Sequence, residues 1–520
     1  MKKNLFSKLF VLAFVLLSSG YAHAQYTFTG QLRTRSEYRN GAGNLMPLGT
    51  KPAFFTSQRT NLNFGYKWDK LIFCTQIRDV RVWGQDASTI NNADGNKLFL
   101  HEAWAEVILA NITDTNSRLK IDYLAVKVGR QELVYDDARL LGNLDWLQQG
   151  RRHDAAVLKF MHKGFQVDLG AAYNQNTDAF GKTGVMYTPV NTNTSATSST
   201  GVLIPIPASK PNFIPTVGKN GAPVVAGPAP STNGMNQMYK TMQFIYLRKK
   251  FGQTTVSGLV FKDDFAKWRL DSIGSATTGY AYGRNYDQIG VNSRITSGLN
   301  VNTVIGNASS GGKVALQGFG YYQGGNDLSA NDISAYHVGG NAMYQRGKFS
   351  VGPGYEMLSG NDKSSTGNHR FDPLYGTPHK FWGYMDYFYA GTGSPKAGLQ
   401  NAFLKAKYVA KDLTITFDAH QFFTAAQSVD VTSGGANLDK LLGTELDVVL
   451  NYNINKFVNL EMGYSVMFAT NSMEYVKSEL TGPPTTNKTN HNAQWAYLML
   501  NIRPDFLFTK PVALTPPPTQ

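Results

Sequence analysis

Apolar and charged side chains alternate along residues 26–39, and this alternation predicts a β-strand with two unlike faces. One face carries Tyr26, Phe28, Gly30, Leu32, Thr34, Ser36 and Tyr38, and the other carries Thr27, Thr29, Gln31, Arg33, Arg35, Glu37 and Arg39. An apolar face with an aromatic residue at each end is typical of a strand between lipid and enclosed water. A soluble sheet could have the same pattern, so the rest of the chain has to distinguish the two.

The same period of two returns at residues 54–68, 165–174, 414–422 and 445–454. Tyr, Trp and Phe often lie at the ends of these segments, as the interfacial girdles of a membrane barrel require. Segment 71–83 changes phase partway, which predicts a bulge near Asp79.

The connections between strands alternate in length, which is typical of short periplasmic turns and long extracellular loops. The predicted long loops are 40–53, 84–96, 132–151, 175–236, 263–283, 359–398, 425–441 and 470–492. A first count gives about nineteen strands, but assigning 299–310 to a longer turn or a strand extension restores the alternation and leaves about eighteen, an even number. The predicted fold is therefore all-β: a transmembrane antiparallel β-barrel of about 18 strands, wide enough for an aqueous channel.

The N-terminal segment 1–24 has the features of a secretory signal peptide. Lysines accompany a short apolar run that ends in Ala22-His23-Ala24, a pattern for cleavage. We expect a signal peptide at 1–24, an outer-membrane barrel at 25–508 and a Pro-rich tail at 509–520. No later run of about eighteen apolar residues indicates a membrane helix.

Composition fits an exported barrel. Mean hydropathy is −0.28, because lipid-facing residues are averaged with those of the lumen and loops. The single cysteine, Cys74, excludes an internal disulfide framework. The net charge of +14 falls to +11 without the three lysines of the leader. This excess favours anionic partners, including polyanionic polymers, and contact with acidic lipopolysaccharide is the alternative explanation.

Arginines on the polar faces of the first two strands are the first candidate functional residues. An arginine facing lipid at the midplane costs roughly 2–4 kcal/mol, so Arg33, Arg35, Arg39 and Arg59 should face the lumen. Guanidinium groups suit paired hydrogen bonds to carboxylates of a cargo. The alternative is a structural network of these arginines with Glu37, Asp79, Glu102 and Glu106.

The second candidate is segment 129–154, where arginines and aspartates are interspersed as in an ordered, salt-bridged loop at a channel mouth. Its GRQ, its DW pair and its R-x-D-A strand start resemble the N-terminal signature of the alginate-export porins of outer membranes. GYEMLSGND at 354–362, RFDPLYGTPHKFWGYMDYF at 370–388 and LGTELDVVLNY at 442–452 resemble later parts of that family. The resemblance extends over nearly all of the chain after the leader.

The resemblance implies an eighteen-stranded barrel whose arginine-rich constriction passes an anionic polysaccharide, with a dedicated secretion apparatus as partner. It implies substrate-binding roles for Arg33, Arg35, Arg59, Arg130, Arg139, Arg151 and Arg152. Segment 187–236, rich in Pro, Thr, Ser and Gly, is longer than the family pattern. We expect an outer-membrane location, contact with outer-membrane lipid and lipopolysaccharide, possible periplasmic secretion partners, and no nucleic-acid partner.

Other functions receive weaker support from the sequence. A general uptake porin for acidic oligosaccharides is the first alternative, an outer-membrane hydrolase using Asp418 and His420 is a second, and a surface adhesion or structural protein is a third. The chain lacks G-x-S-x-G, Walker, CxxC and HExxH motifs. Residues 91–96 could bind calcium, although a plain Asn/Gly turn explains them better. We therefore expect a non-enzymatic protein without cofactor or metal.

Overall fold

The computed structural model describes residues 25–85, 98–112, 120–175, 194–215, 239–307, 311–390, 395–430, 435–478 and 489–507. Within them, eighteen strands form one antiparallel sheet. They are β1 (Gln25–Asn40), β2 (Ala53–Trp68), β3 (Leu71–Val82), β4 (Leu98–Asn111), β5 (Tyr123–Gln131), β6 (His153–His162), β7 (Phe165–Tyr173), β8 (Thr241–Phe251), β9 (Thr254–Ala266), β10 (Val291–Asn307), β11 (Gly312–Asn326), β12 (Asp332–Arg346), β13 (Phe349–Leu358), β14 (Leu399–Val409), β15 (Leu413–Phe423), β16 (Leu441–Asn453), β17 (Val458–Ala469) and β18 (Asn492–Ile502).

Each strand pairs with the next along the chain, and β1 also pairs with β18, so the sheet closes into a barrel. The predicted fold class and strand number are confirmed. The expected signal peptide, the tail at 509–520, the segment at 91–96 and most of 187–236 lie outside the described residues.

The two faces of β1 and β2 lie as the alternation predicts. Tyr26 and Phe54 are 63% and 74% exposed on the outer surface, whereas Arg33 and Arg59 are 3% and 1% exposed inside. Because side chains alternate along a strand, the same register places Phe64 outward and Asn61 inward.

The connections follow the predicted alternation with some exceptions. Residues 299–307 continue β10, so the strand-extension reading is right. The loop predicted at 263–283 begins too early, because β9 continues to Ala266. The connection 327–331 is short although it lies on the long-loop side, since the Asp327 carboxylate accepts the N–H groups of Ser329 (2.8 Å) and Asn331 (3.0 Å) and closes a tight turn.

The bulge predicted near Asp79 is wrong in position. β2 and β3 stay in register from Leu71 to Val82, and the irregularity lies between β3 and β4 at Gln76 and Ile77. Asp79 is 8% exposed and is paired with Arg81 at 2.7 Å. The strand therefore continues without a bulge at Asp79, and the Asp79 carboxylate is satisfied by its ion pair with Arg81.

The loops contain short strands, one 3₁₀ turn and one helix among the described residues. Arg269–Ser275, Gly279–Asn285 and Phe213–Pro215 form a three-stranded sheet, with the pairs Ser195–Thr197/Leu203–Pro205 and Val429–Asp430/Ala436–Asn437 beside other loops. A 3₁₀ turn spans Pro378–Lys380, and helix α1 spans Asn471–Ser478. Among the described residues, no helix has the length and apolar character needed to span a bilayer.

Candidate functional site

Two loops meet inside the barrel and form the candidate site. Loop 3 is residues 132–152, between β5 and β6, and loop 7 is residues 359–398, between β13 and β14. They pair through backbone hydrogen bonds: Tyr375 N–H donates to Leu140 O (2.9 Å), Gly142 N–H donates to Tyr375 O (3.0 Å), and Thr377 N–H donates to Ala138 O (2.8 Å). Leu140 and Tyr375 belong to the main hydrophobic core, so the interior of the barrel is packed where the loops meet.

Backbone strain is concentrated in the same two loops. Six of the nine non-glycine residues with positive φ in the described part of the chain lie there, namely Asp136, Ala138, Leu144, Leu374, Asp386 and Tyr389. Such conformations persist only where surrounding contacts hold them, and they are enriched at functional sites. This distribution supports loops 3 and 7 as the functional region.

A wall of inward-facing arginines on β1, β2 and β3 lies beside the tip of loop 3. We call Arg33, Arg35, Arg59 and Arg78 the basic wall; each is at most 3% exposed. Sequence analysis predicted the first three and missed Arg78. Arg78 lies opposite Asn61 in the β2–β3 register, and its Nε donates to Asn61 Oδ1 at 2.9 Å. Arg78 therefore shares the inward face with the other three arginines.

Loop 3 supplies one carboxylate to the basic wall. The Asp145 oxygens lie 2.8 Å from Arg59 Nη2 and 3.3 Å from Arg33 Nη1, so one carboxylate is shared by two guanidiniums from neighbouring strands. The Asp145 side chain is 51% exposed. Burial acts to raise the pKa of Asp145, but Arg59 and Arg33 outweigh it and hold that pKa below its usual value.

The other contacts of the wall reach neutral groups of loop 3. Arg35 donates to Trp146 O (2.8 Å) and its guanidinium lies 4.1 Å from the centre of the Trp146 ring. Arg78 donates to Gln149 O (2.7 Å), and Arg33 Nε donates to Gln148 Oε1 (3.0 Å). The tip of loop 3 is therefore fastened to the wall at several points that do not involve Asp145.

Guanidinium groups outnumber carboxylates in the direct contacts of the basic wall and of the neighbouring Arg39. Arg35 and Arg39 both pair with Glu37, at 2.8 Å each, while Arg33 and Arg59 share Asp145. Including Arg78, five guanidiniums face two carboxylates in these contacts. Two arginines of the wall line a cavity of about 450 Å³, where the charged lining is balanced at three arginines and three carboxylates: Arg59, Arg78 and Arg503 with Asp145, Glu102 and Glu132.

The beginning of loop 3 is held by a buried ion pair. Arg139 pairs with Glu356 of β13, and both side chains are at most 5% exposed. The Arg139 guanidinium lies 4.2 Å from the centre of the Phe319 ring and 3.9 Å from that of Phe381. His337 of β12 contacts the same Glu356 carboxylate at 3.0 Å.

Loop 7 is anchored by residues that sequence analysis did not single out. Arg294 of β10 pairs with Asp263 (2.6 Å) and with Asp372 of loop 7 (2.8 Å), and the Tyr375 hydroxyl donates to Asp263 (3.0 Å). Glu445 accepts the N–H of Met385 at 2.7 Å. The density of aromatic and charged residues in 370–388 was the available signal, since such composition is unusual for a solvated loop.

The remaining predicted arginines occupy three different places. Arg151 donates to Gly376 O of loop 7 at 2.7 Å, and burial lowers its pKa to about 10. The Arg152 guanidinium lies 4.6 Å from the centre of the Phe99 ring.

Arg130 requires a correction of position. Along β5 it shares a face with Val128, which is 43% exposed, and it pairs with the outward-facing Asp154 of β6 through two contacts of 2.8 Å. Grouping the arginines by their proximity in sequence fails here, because the alternation of side chains along β5 turns Arg130 away from the lumen.

A second cavity, of about 830 Å³, lies below loop 3 and differs in charge from the basic wall. Its titratable lining residues include Glu106, Glu132, Asp136, Asp137 and Asp168 together with Lys127, Lys159 and Arg248. Burial raises the pKa of Asp136, although Ser257 and Tyr246 donate hydrogen bonds to its carboxylate. Both signs of charge therefore line the lumen.

The residues considered for hydrolysis do not contact one another in a catalytic pair. His420 Nδ1 lies 3.0 Å from Asn401 Oδ1, and Asp418 is paired with Lys405. Within the described ranges, no group of three or more His, Cys, Asp or Glu side chains could hold a metal ion.

Comparison with known proteins agrees with this architecture. Residues 24–176 match the family model described as alginate export, which confirms the predicted resemblance over that part of the chain. A search of curated protein sequences finds no match.

Solved structures share the fold at low sequence identity. OpdO of Pseudomonas aeruginosa has a TM-score of 0.52 at 10% identity, covering 93% of this chain and 98% of its own. OpdK of the same organism, an outer membrane protein, has a TM-score of 0.51 at 9% identity, with 92% and 98% covered. OccAB4 of Acinetobacter baumannii has a TM-score of 0.53 at 11% identity, with 93% and 98% covered.

Together with the family match, these findings place the protein in the bacterial outer membrane as a β-barrel and support an outer-membrane channel.

Proposed function

We propose that this protein is an outer-membrane channel for anionic saccharides, with export of an acidic, alginate-like polysaccharide as its most direct role. The observation that carries the proposal is the excess of guanidinium groups over their contacting carboxylates, since the four arginines of the basic wall and Arg39 are accompanied by two carboxylates, Glu37 and Asp145. Arg59 and Arg78 of the wall also line the neighbouring cavity. Arginine forms strong charge-assisted hydrogen bonds to carboxylates, so this wall favours a uronate over a neutral sugar.

The acids of the second cavity have a complementary role in this proposal. Conduction requires binding that is favourable enough for entry and weak enough for release. Asp136 and Asp168, close to Lys159 and Arg248, limit the depth of any single anion site along the path. A polymer with many carboxylates can then move from site to site.

The predicted arginines divide in role within this proposal. Arg33, Arg35 and Arg59 contribute to the field that the cargo meets, whereas Arg139 and Arg151 fix loops 3 and 7 in place. Arg152 lies near the mouth above Phe99. Arg130 faces the outer leaflet and is assigned to the lipopolysaccharide headgroups instead. The chain organisation we propose is a leader at 1–24, a barrel at 25–508 and a tail at 509–520.

Single-channel recording of the purified protein in planar bilayers tests the proposal. In a KCl gradient, the reversal potential should indicate preference for chloride. A galacturonate oligomer should block the current at lower concentration than a neutral glucose oligomer of equal length. Equal block by the two oligomers would contradict an anionic cargo, and absence of any pore in liposome swelling would contradict a channel.

A further inference from the structure

Asp145 is the most exposed member of the charge cluster at the basic wall. Its side chain is 51% exposed, whereas the Arg33 and Arg59 side chains that it contacts are 4% and 2% exposed. Asp145 and Arg59 both line the cavity of about 450 Å³. The Arg59 guanidinium is therefore reached from this cavity, and the Asp145 carboxylate joins it to Arg33.

The geometry at Asp145 is that of a bound carboxylate. One oxygen faces Arg59 Nη2 at 2.8 Å, and the other faces Arg33 Nη1 at 3.3 Å. Gln31 Oε1 accepts from Arg59 Nε at 3.0 Å and thereby orients that guanidinium from behind. A carboxylate from any source that enters between the two arginines would meet the same donors in the same orientation.

Release of Asp145 does not require loop 3 to detach from the wall. Arg33 also donates to Trp146 O (3.2 Å) and Leu147 O (3.3 Å), and Arg78 donates to Gln149 O (2.7 Å). Leu144, at φ 51°, turns the chain immediately before Asp145. Exchange of the carboxylate can therefore be a local event at one side chain.

We propose that Asp145 is a built-in competitor of the cargo, because its carboxylate occupies the two-arginine subsite of Arg33 and Arg59 at which a uronate carboxylate binds. This inference rests on the proposed function. While the channel is empty, Asp145 neutralises part of the wall. When a polyanion enters, one of its carboxylates displaces Asp145, and the simultaneous contacts of its other carboxylates with neighbouring arginines offset the advantage that Asp145 has as a tethered ligand.

The test is single-channel block by a galacturonate oligomer in three full-length proteins: wild type, Asp145→Asn and Asp154→Asn. Asp145→Asn keeps an acceptor oxygen for Arg59 but removes the competing charge, and should lower the half-blocking concentration about fivefold, the effect of roughly one unit-charge contact in water. Asp154 is the matched control, since it also pairs with an arginine and is also 51% exposed, but it faces outward. The oligomer should block Asp154→Asn at the same half-blocking concentration as wild type.

The possible outcomes separate this inference from the proposed function. The competitor role is overturned if the oligomer blocks Asp145→Asn at the same concentration as wild type, or at a higher one. Either result leaves the proposal of an anion channel standing. Failure of the oligomer to block wild type and Asp145→Asn overturns the proposed function itself. Asp145→Glu should restore the wild-type value, and heat-modifiable migration on gels confirms that each variant forms a barrel.

Discussion

Loop 3 is held at two places by ion pairs that differ in exposure and in charge balance. At its beginning, Arg139 and Glu356 are nearly inaccessible and lie among Phe319, Phe381 and His337. At its tip, Asp145 is half exposed among arginines that outnumber it. The first contact is closed to solutes, whereas the second is open to the lumen.

The difference indicates how one loop can hold a fixed position through one ion pair while the carboxylate of the other ion pair exchanges with solutes. Breaking a buried pair leaves an uncompensated charge without water, which is costly. An exposed carboxylate can be replaced by water or by another anion at little cost. Under the proposed function, the Arg139 contact fixes the shape of loop 3, and the Asp145 contact exchanges with the cargo.

The largest effect is expected at the buried end. Arg139→Ala leaves Glu356 buried beside His337 and should lower the free energy of unfolding by about 3–5 kcal/mol. Arg130→Ala removes an exposed pair with Asp154 and should cost about 0.2–1 kcal/mol. Urea unfolding in detergent micelles measures both. Equal losses in the two variants would mean that exposure does not distinguish the two kinds of pair.

An intermediate effect is expected at the open end. The double change Arg33→Ala/Arg59→Ala removes two lumen charges and should lower the chloride-to-potassium permeability ratio about fivefold or more, given roughly 1 kcal/mol for a charge at contact distance in water.

The matched control for this change is Arg81→Ala/Arg130→Ala. These two arginines are paired with Asp79 and Asp154 and face outward. The control should leave the reversal potential unchanged. A comparable shift in both doubles would show that net charge of the chain, rather than the basic wall, sets selectivity.

The smallest effect is expected from acid. Because the pKa of Asp145 is lowered, its contact with the arginines is present above the ordinary aspartate pKa of about 4 and is lost as pH falls through the lower folded value. The difference in chloride preference between wild type and Asp145→Asn should therefore be constant from about pH 7 to pH 5 and should disappear as the pH falls below about 4, while other lumen acids titrate equally in both proteins. If the difference in chloride preference between the two proteins changed near neutral pH, the lowered pKa of Asp145 would be contradicted.

Strand positions and faces were the most predictable part of this protein. The parity of Arg33, Arg35 and Arg59 among aromatic neighbours was sufficient to place them inside, because lipid excludes unpaired guanidiniums. The same rule applied to β5 would have placed Arg130 outside with Val128. That error came from reading a strand end as part of a loop.

The partners of these arginines were not predictable from local pattern. The structural alternative named Glu37 correctly, but Asp79 pairs with Arg81, and Glu106 pairs with Lys159. The carboxylate that reaches Arg33 and Arg59 comes from Asp145, 112 and 86 residues away along the chain. Loops 3 and 7 have no regular alternation of apolar and polar residues from which contacts between loop and strand side chains could be inferred.

The sequence by itself determined the barrel, its strand number and the direction of most side chains, because alternation with a period of two is imposed residue by residue by lipid on one side and water on the other. Only the tertiary structure decided which loops fill the lumen and which charges meet there. Those contacts join segments that are distant in sequence, and the free energy that selects them arises from burial and ion pairing after the barrel has closed.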